Sequence, residues 1–156
     1  MVRGTIEITI YDKRIFTYSI YNQNNKIMKT IIALYRRANT GKTTTLNYLI
    51  GLLRGQEVEI KERREIVYYG NKKIAVTTPG DNDYEIKKNI KFFENEDCDI
   101  LVTATRSRGQ TTDTIYNYHK EINAKLKWIE KSLSVTLQDP INQAQAKDIQ
   151  ATIDTL

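Results

Sequence analysis

One cysteine, Cys98, leaves the chain without an internal disulfide, and no apolar run approaches the roughly 20 residues that span a bilayer. The N-terminus has no uninterrupted apolar segment of the kind that directs secretion. Together these absences point to a reducing, cytoplasmic setting and away from a membrane. The single histidine, His119, has no His or Cys partner at metal-ligand spacing and reads as a surface residue. No Ser/His/Asp arrangement and no pair of carboxylates at catalytic spacing is legible. Internal repeats are absent too. There are ten tyrosines, but they form no aromatic motif of the kind that reads single strands. Cys98 and Trp128 read as packing residues.

The 156 residues suffice for one domain with a core, and 40% apolar with 28% charged residues fits a folded chain rather than a disordered one. The net charge of +5 suits an anionic ligand. Its Lys and Arg fall in short clusters (Arg36-Arg37, Lys61 to Arg64, Lys72-Lys73, Lys87-Lys88), so nucleic acid is compatible with the charge but supported by no motif.

In residues 1–27, Ile6, Ile8 and Ile10 alternate with polar residues, as do Phe16, Tyr18 and Ile20, around Tyr11-Asp12-Lys13. This reads as two strands and a turn, followed by a polar linker at 22–26. The segment is expected to be an extension, a candidate β-hairpin, ahead of a main domain at 28–156. In that domain Ile31-Ile32-Ala33-Leu34 suits a strand buried on both faces. Leu46, Leu49, Ile50 and Leu53 then follow the i, i+3, i+4, i+7 spacing of a helix face, with Gly55 as its stop. Strands at 65–69 and 72–78 flank Gly70-Asn71, a pair able to take positive φ in a tight hairpin turn. Ile86, Ile90 and Phe93 mark another helix, and 99–104 another strand. From Ile115 the pattern fits two readings: one long helix, or a helix ending near Ala124 followed by a strand at 126–130. Strand–helix alternation favours the second, since a parallel sheet needs a crossover and then a strand. Asp139 as N-cap and Pro140 at the first helical position open a last helix, with Ile141, Ala144, Ile149, Ile153 and Leu156 on its apolar side. The expected fold is a three-layer α/β sandwich with a mostly parallel sheet and one antiparallel hairpin strand at an edge.

The most specific stretch lies between the first strand and first helix of that domain: Arg36-Arg37-Ala38-Asn39-Thr40-Gly41-Lys42-Thr43-Thr44. A strand fixes the loop, the loop turns N–H groups inward, and the helix N-terminus faces an anion. Gly41, Lys42 and Thr43 fill the second half of the Walker A pattern, and Arg36 stands where the pattern has its first glycine. The stretch resembles the P-loop NTPase superfamily. The resemblance implies a nucleoside triphosphate, ATP or GTP, with Mg²⁺. Residues 37–44 (Arg37, Ala38, Asn39, Thr40, Gly41, Lys42, Thr43, Thr44) would cradle the phosphates. Gly41 lets the backbone approach them, Lys42 pairs with the β- and γ-phosphates, Thr43 supplies a hydroxyl to the metal, and Thr44 sits near the α-phosphate.

In the GTPase branch of that superfamily, a hairpin strand runs into Asp-x-x-Gly. Thr78-Pro79-Gly80 looks like the last three positions, with Thr77 where the Asp would be. By analogy Gly80 offers its N–H to the γ-phosphate, and Asp81 and Asp83 reach the metal through water. Glu130-Lys131-Ser132 stands where guanine is normally read and does not match, so ATP is favoured over GTP. The loop Arg106-Ser107-Arg108-Gly109-Gln110 follows a buried strand and is expected at the same carboxyl end. There Arg106 and Arg108 can clamp a γ-phosphate or a phosphorylated acceptor, and Gln110 can orient a water. Three functions fit: Mg-dependent hydrolysis used as a switch with a protein partner, a non-catalytic module with a degenerate phosphate loop, and a small nucleotide or metabolite kinase.

Overall fold

The computed structural model of the protein describes strands Ile6–Tyr11 (β1) and Arg14–Ser19 (β2) and the continuous stretch 28–156. β1 and β2 pair antiparallel, from Ile6 opposite Ser19 to Tyr11 opposite Arg14, in a two-stranded sheet of their own. The alternation read there is thus a hairpin. Its turn at 12–13 and the linker read at 22–26 lie outside the described residues.

The remaining elements are β3 (Thr30–Tyr35), α1 (Lys42–Arg54), β4 (Arg64–Tyr69), β5 (Lys72–Thr77), α2 (Asp83–Asn95), β6 (Ile100–Thr105), α3 (Gln110–Glu121), β7 (Lys125–Glu130) and α4 (Gln138–Asp154). The five strands form one mixed, mostly parallel sheet in the order β4-β5-β6-β3-β7. β3 is parallel to β6 and β7, β5 is parallel to β6, and β4 is antiparallel to β5 at the edge. The two-residue turn between β4 and β5 uses a positive φ at Gly70 (59°) and not at Asn71.

Period-2 alternation along β3 divides the core. Ile32 and Leu34 pack with Leu46, Leu49 and Ile50 of α1 and Ala146, Ile149 and Ile153 of α4. Ile31 and Ala33 point the other way, onto Ile86 and Phe93 of α2 and Ile115 and Tyr118 of α3. Ile31, Ile32, Ala33 and Leu34 are all fully buried, which is why this strand reads as a continuous apolar run. Each such Leu or Ile contributes roughly 1.5–3 kcal/mol by burial. No helix of the described residues is long and apolar enough to cross a membrane.

The stretch 125–130 is a strand. α3 ends at Glu121 and Asn123 takes a left-handed φ of 55°, a conformation that stops a helix. Leu126 and Ile129 fit the helical spacing only because two apolar residues three apart satisfy many patterns. α4 begins two residues earlier than Asp139-Pro140 suggests. Its N-cap is Leu137, whose N–H is taken by Ser134 Oγ at 2.9 Å. Pro140 falls within the first turn, where an N–H has no helical acceptor in any case. Ala144 is exposed; the buried face runs through Asn142, Gln145, Ala146, Ile149 and Ile153. Cys98 is fully buried, and burial pushes its thiol pKa up to about 11, so it is a core residue and not a nucleophile. Trp128 packs edge-on against Tyr35 at 6.1 Å and stays 37% exposed on an edge strand. His119 is half-buried, with Nδ1 3.2 Å from the Ala124 carbonyl.

The turn after β5 is held from three sides. Thr78 N–H bonds the Arg63 carbonyl at 3.0 Å and the Arg63 N–H returns to Thr78 Oγ1 at 2.8 Å. Asn89, fully buried on α2, donates to the Pro79 carbonyl at 2.6 Å and to Thr103 Oγ1 at 3.1 Å. A Cβ on Gly80 would lie 2.0 Å from the Ala104 carbonyl oxygen. Backbone meets backbone here, so the clash has no flexible side chain to absorb it. Gly80→Ala is therefore expected to destabilise the fold by at least about 1–3 kcal/mol, the usual range for overpacking. Urea unfolding of the variant checks this, and an unchanged midpoint would contradict it.

Candidate functional site

The register of the sheet brings three loops to one edge. Tyr35, the last residue of β3, lies opposite Thr105 of β6 on one side and Glu130 of β7 on the other. The next residues, Arg36, Arg106 and Lys131, therefore leave three neighbouring strands side by side. Arg36 N–H bonds the Thr105 carbonyl at 3.2 Å, and Lys131 N–H bonds the Tyr35 carbonyl at 2.9 Å.

Arg36, where the Walker A pattern has its first glycine, takes no positive φ. Left-handed φ values in this loop fall at Asn39 (58°) and Gly41 (88°), not at Arg36; asparagine tolerates that region better than most non-glycine residues. The Arg36 guanidinium bonds Glu130 Oε1 at 2.8 Å and the Lys131 carbonyl at 3.3 Å. Its side chain thus lies toward β7 and does not crowd the loop. Thr40 Oγ1 closes the loop on the Arg37 carbonyl at 2.9 Å. Lys42 Nζ reaches back over it, to the Arg36 carbonyl at 2.7 Å and the Arg37 carbonyl at 2.6 Å. Burial holds the Lys42 pKa below its ordinary value; Asp81 opposes that shift and Arg106 adds to it.

Gly41 is the N-cap of α1. No side chain caps the helix and no acidic residue sits in its first turn. The first-turn N–H groups and the helix dipole therefore face outward uncompensated, an arrangement that favours an anion by about 0.3–2 kcal/mol. A Cβ on Gly41 would come within 2.7 Å of Asn142 Oδ1 from α4, and that oxygen is fixed by Gln138 Nε2 at 2.8 Å. Positive φ and this close approach both call for glycine. Thr43 and Thr44 are half-buried in the same turn.

A cleft of about 500 Å³ opens beside this loop. It is lined by Arg37, Asp81, Asn82, Asp83, Arg106, Ser107, Arg108, Gln110 and Thr111. The structure thus brings Arg37, Asp81, Arg106, Arg108 and Gln110 together around one space. Lys42 does not line it, although Asp81 and Arg106 are close enough to act on Lys42 electrostatically. Gly80 does not line it either; its backbone lies buried against Ala104. Ala38, Asn39 and Thr40 belong to the loop and not to the cleft wall.

The carboxylates are largely engaged. Asp81 Oδ1 lies 3.5 Å from Arg106 Nε, which also donates to the Asp81 carbonyl at 3.2 Å. Asp83 accepts from Thr114 and pairs with Lys87 at 2.9 Å, and these contacts hold its carboxyl below the usual range. Among the described residues no three His, Cys, Asp or Glu side chains cluster to hold a metal ion. Mg²⁺ asks for less than that, since it takes one or two protein ligands plus phosphate oxygens and waters. The Thr43 hydroxyl makes no hydrogen bond among the described residues, which leaves it available as one such ligand. Thr77 is fully buried and its hydroxyl has no partner among the described residues.

Several residues here have no motif to announce them. Asn142 and Gln138 come from α4, more than ninety residues beyond the loop they brace. Lys131 is fully buried, with Nζ on the Ser132 carbonyl at 2.6 Å. Gln145 fixes the backbone on both sides of it, donating to the Glu130 carbonyl at 2.7 Å and accepting from Ser132 N–H at 2.9 Å. Compared with family models, with curated proteins and with solved structures, the chain matches none.

Burial, then the nearby Arg36 and Lys42 charges, lowers the Lys131 pKa to about 8. An unfolded lysine keeps its proton to about 10.4, so between these values the unfolded chain binds more protons and stability rises with pH. Below pH 8 the buried charge opposes folding in full. Denaturant unfolding should accordingly find Lys131→Met more stable than the parent at pH 7, with the difference shrinking as pH rises from 8 to 10. A pH-independent difference would contradict it.

Proposed function

We propose that this protein binds a nucleoside triphosphate at the 36–44 loop of a P-loop-like α/β domain, with ATP ahead of GTP, and uses Mg²⁺-dependent hydrolysis as a switch. The observation that carries the reading is Lys42. A largely buried ammonium lies over a loop whose following helix presents uncapped N–H groups and no acidic residue. That arrangement suits a chain of phosphates and few other ligands.

In this reading residues 37–44 surround the phosphate chain. The ammonium of Lys42 exchanges carbonyl partners for β- and γ-phosphate oxygens, and its positive charge is stabilised by doing so. A bound Mg²⁺ would neutralise phosphate charge, and the residues that would hold it are Thr43 through its hydroxyl and Asp81 through water. Arg106, Arg108 and Gln110 line the cleft beyond the loop and would act on the terminal phosphate and on a water. Gly80 is held by packing against Ala104, so its N–H contributes only if the phosphate comes to it. A change in the 78–83 segment would pass to α2 through Asn89 and alter a surface offered to a protein partner.

A second reading, a phosphate-loop module that binds without turnover, has one observation in its favour. Thr77 stands where hydrolysing relatives of the resembled superfamily carry an acid, and the two carboxylates that line the cleft, Asp81 and Asp83, already hold cationic partners.

Calorimetric titration with ATP and GTP in the presence of Mg²⁺, paired with a phosphate-release assay, separates the two. The expected result is saturable binding that Lys42→Ala weakens at least about tenfold, since charge-assisted hydrogen bonds of 1.5–3 kcal/mol are removed, together with slow phosphate release by the parent. Binding without release supports the second reading. Absence of binding at millimolar nucleotide would overturn both.

A further inference from the structure

We propose that the layer formed by α2 and α3 is a docking surface for single-stranded nucleic acid, whose bases stack on exposed tyrosines and whose phosphates meet the lysines beside them. The surface lies on the side of the sheet away from α1 and α4. It is independent of the nucleotide reading of the 36–44 loop.

The exposed aromatic side chains gather on this side. Among the described residues they are Tyr68 (73% exposed), Tyr84 (65%), Tyr116 (47%) and Trp128. They come from β4, α2, α3 and β7. Tyr84 and Tyr116 point outward from the two helices. Tyr68 follows Ile66 by two residues and Trp128 follows Leu126 by two, and both Ile66 and Leu126 pack into the core beneath α2 and α3. Rings left this open add little to the core. Together on one face they offer the platforms on which unpaired bases stack. They are scattered along the chain, so no sequence motif announces them.

Each of the three tyrosines has a lysine over its ring. Lys73 Nζ lies 5.8 Å from the Tyr68 centroid, Lys88 Nζ 4.2 Å from that of Tyr84, and Lys120 Nζ 5.1 Å from that of Tyr116. The outward stripe of α2 runs Tyr84, Lys87, Lys88, Lys91, at i, i+3, i+4 and i+7, and holds no carboxylate. The acids of this helix are engaged on its flanks: Asp83 with Thr114 and Lys87, Glu85 with Arg64 of β4, and Glu94 with the Tyr118 hydroxyl. The exposed carboxylates of α3 are Asp113 and Glu121, which centres the surface on α2. The ammonium groups of Lys88, Lys91 and Lys120 make no hydrogen bond or ion pair among the described residues. Uncommitted cations in a stripe without acids favour an anionic polymer. The rings beside them favour one that carries flat bases over an acidic peptide, since phosphate takes the ammonium and the base takes the ring.

Fluorescence anisotropy of a labelled thymidine oligonucleotide of about 15 nucleotides, near the upper end of single-strand site sizes, tests this when titrated with the full chain in the absence of ATP. Saturable binding is expected, with log Kd rising against log salt at a slope of about 2, as three lysine–phosphate contacts on a single strand predict. Tyr84→Ala is expected to weaken binding at least about fivefold, the low end of one base–aromatic stack. Lys88→Gln combined with Lys91→Gln is expected to flatten the slope to about 0.7. All three positions are exposed, so thermal unfolding of these variants is expected to match the parent. Lys147→Gln removes an exposed charge from α4, on the other side of the sheet, and is expected to leave the affinity unchanged. A duplex of the same length is expected to bind more weakly, because its bases are already stacked. Binding that is indifferent to Tyr84→Ala, that falls as much with Lys147→Gln as with the α2 lysine variant, or that polyglutamate displaces as readily as unlabelled oligonucleotide is an effect of net charge and overturns the proposal. No saturation at submillimolar protein in low salt overturns it as well.

Discussion

The pairing of β3 between β6 and β7 is the constraint on which the rest of the site depends. Parallel neighbours in register end at the same level, so the residues that follow Tyr35, Thr105 and Glu130 must emerge together. Those residues are Arg36, Arg106 and Lys131. Three cations leaving adjacent strands repel one another, and the fold answers locally: Glu130 takes Arg36, Asp81 takes Arg106, and Lys131 is driven toward its neutral form. What is left over is a positive, donor-rich edge with two uncapped helix N-termini facing it. The apolar strand that fixes this register contributes nothing to the chemistry itself. Its full burial makes the register hard to slip, since a shift of one residue would turn Ile31 and Ala33 into the opposite core.

This edge is where the loop at 36–44 meets its supports. Lys42 is tied to carbonyls of its own loop and not to a carboxylate, so an incoming anion competes with neutral acceptors rather than with a salt bridge. Asn142 presses on Gly41 from α4, and Gln138 holds Asn142 in place. Asn89 couples the Pro79–Gly80 turn to α2 and β6 in a single side chain. Asn89 is buried and fully engaged, accepting from Arg64 as well, so its removal leaves several partners unsatisfied at once.

Much of the fold was legible because burial writes itself into local pattern. The β3 run, the α1 face and the Gly70-Asn71 hairpin each combine an apolar period with a turn residue, and the structure has them at the expected places. The stretch at 125–130 was ambiguous because Leu126 and Ile129 satisfy helix and strand alike; the left-handed Asn123, a tertiary outcome, decides it. α4 starts ahead of the Asp-Pro signal because the chain already turns at 134–137, where Ser134 Oγ accepts the Leu137 N–H. In the candidate site, Gly41-Lys42-Thr43 stands out in the sequence because a phosphate loop needs contiguous residues, and the structure has Gly41 as the N-cap of α1. Arg36 could not be judged from sequence: its compatibility depends on where the loop puts its positive φ values and on Glu130, a residue on another strand. Lys131 and Asn142 were silent for the same reason. Each acquires meaning only from what the sheet register and helix packing set beside it.

The central claim is that a phosphate chain docks on the first turn of α1. Backbone amide chemical shifts report this residue by residue. Titrating isotopically labelled protein with Mg²⁺–ATP should shift the amides of Gly41, Lys42, Thr43 and Thr44 most, with smaller changes at Arg37 and at Asp81, and leave β4 and the far end of α4 unmoved. Saturable shifts that spare Gly41 to Thr44, or no shifts at millimolar nucleotide, would contradict the claim.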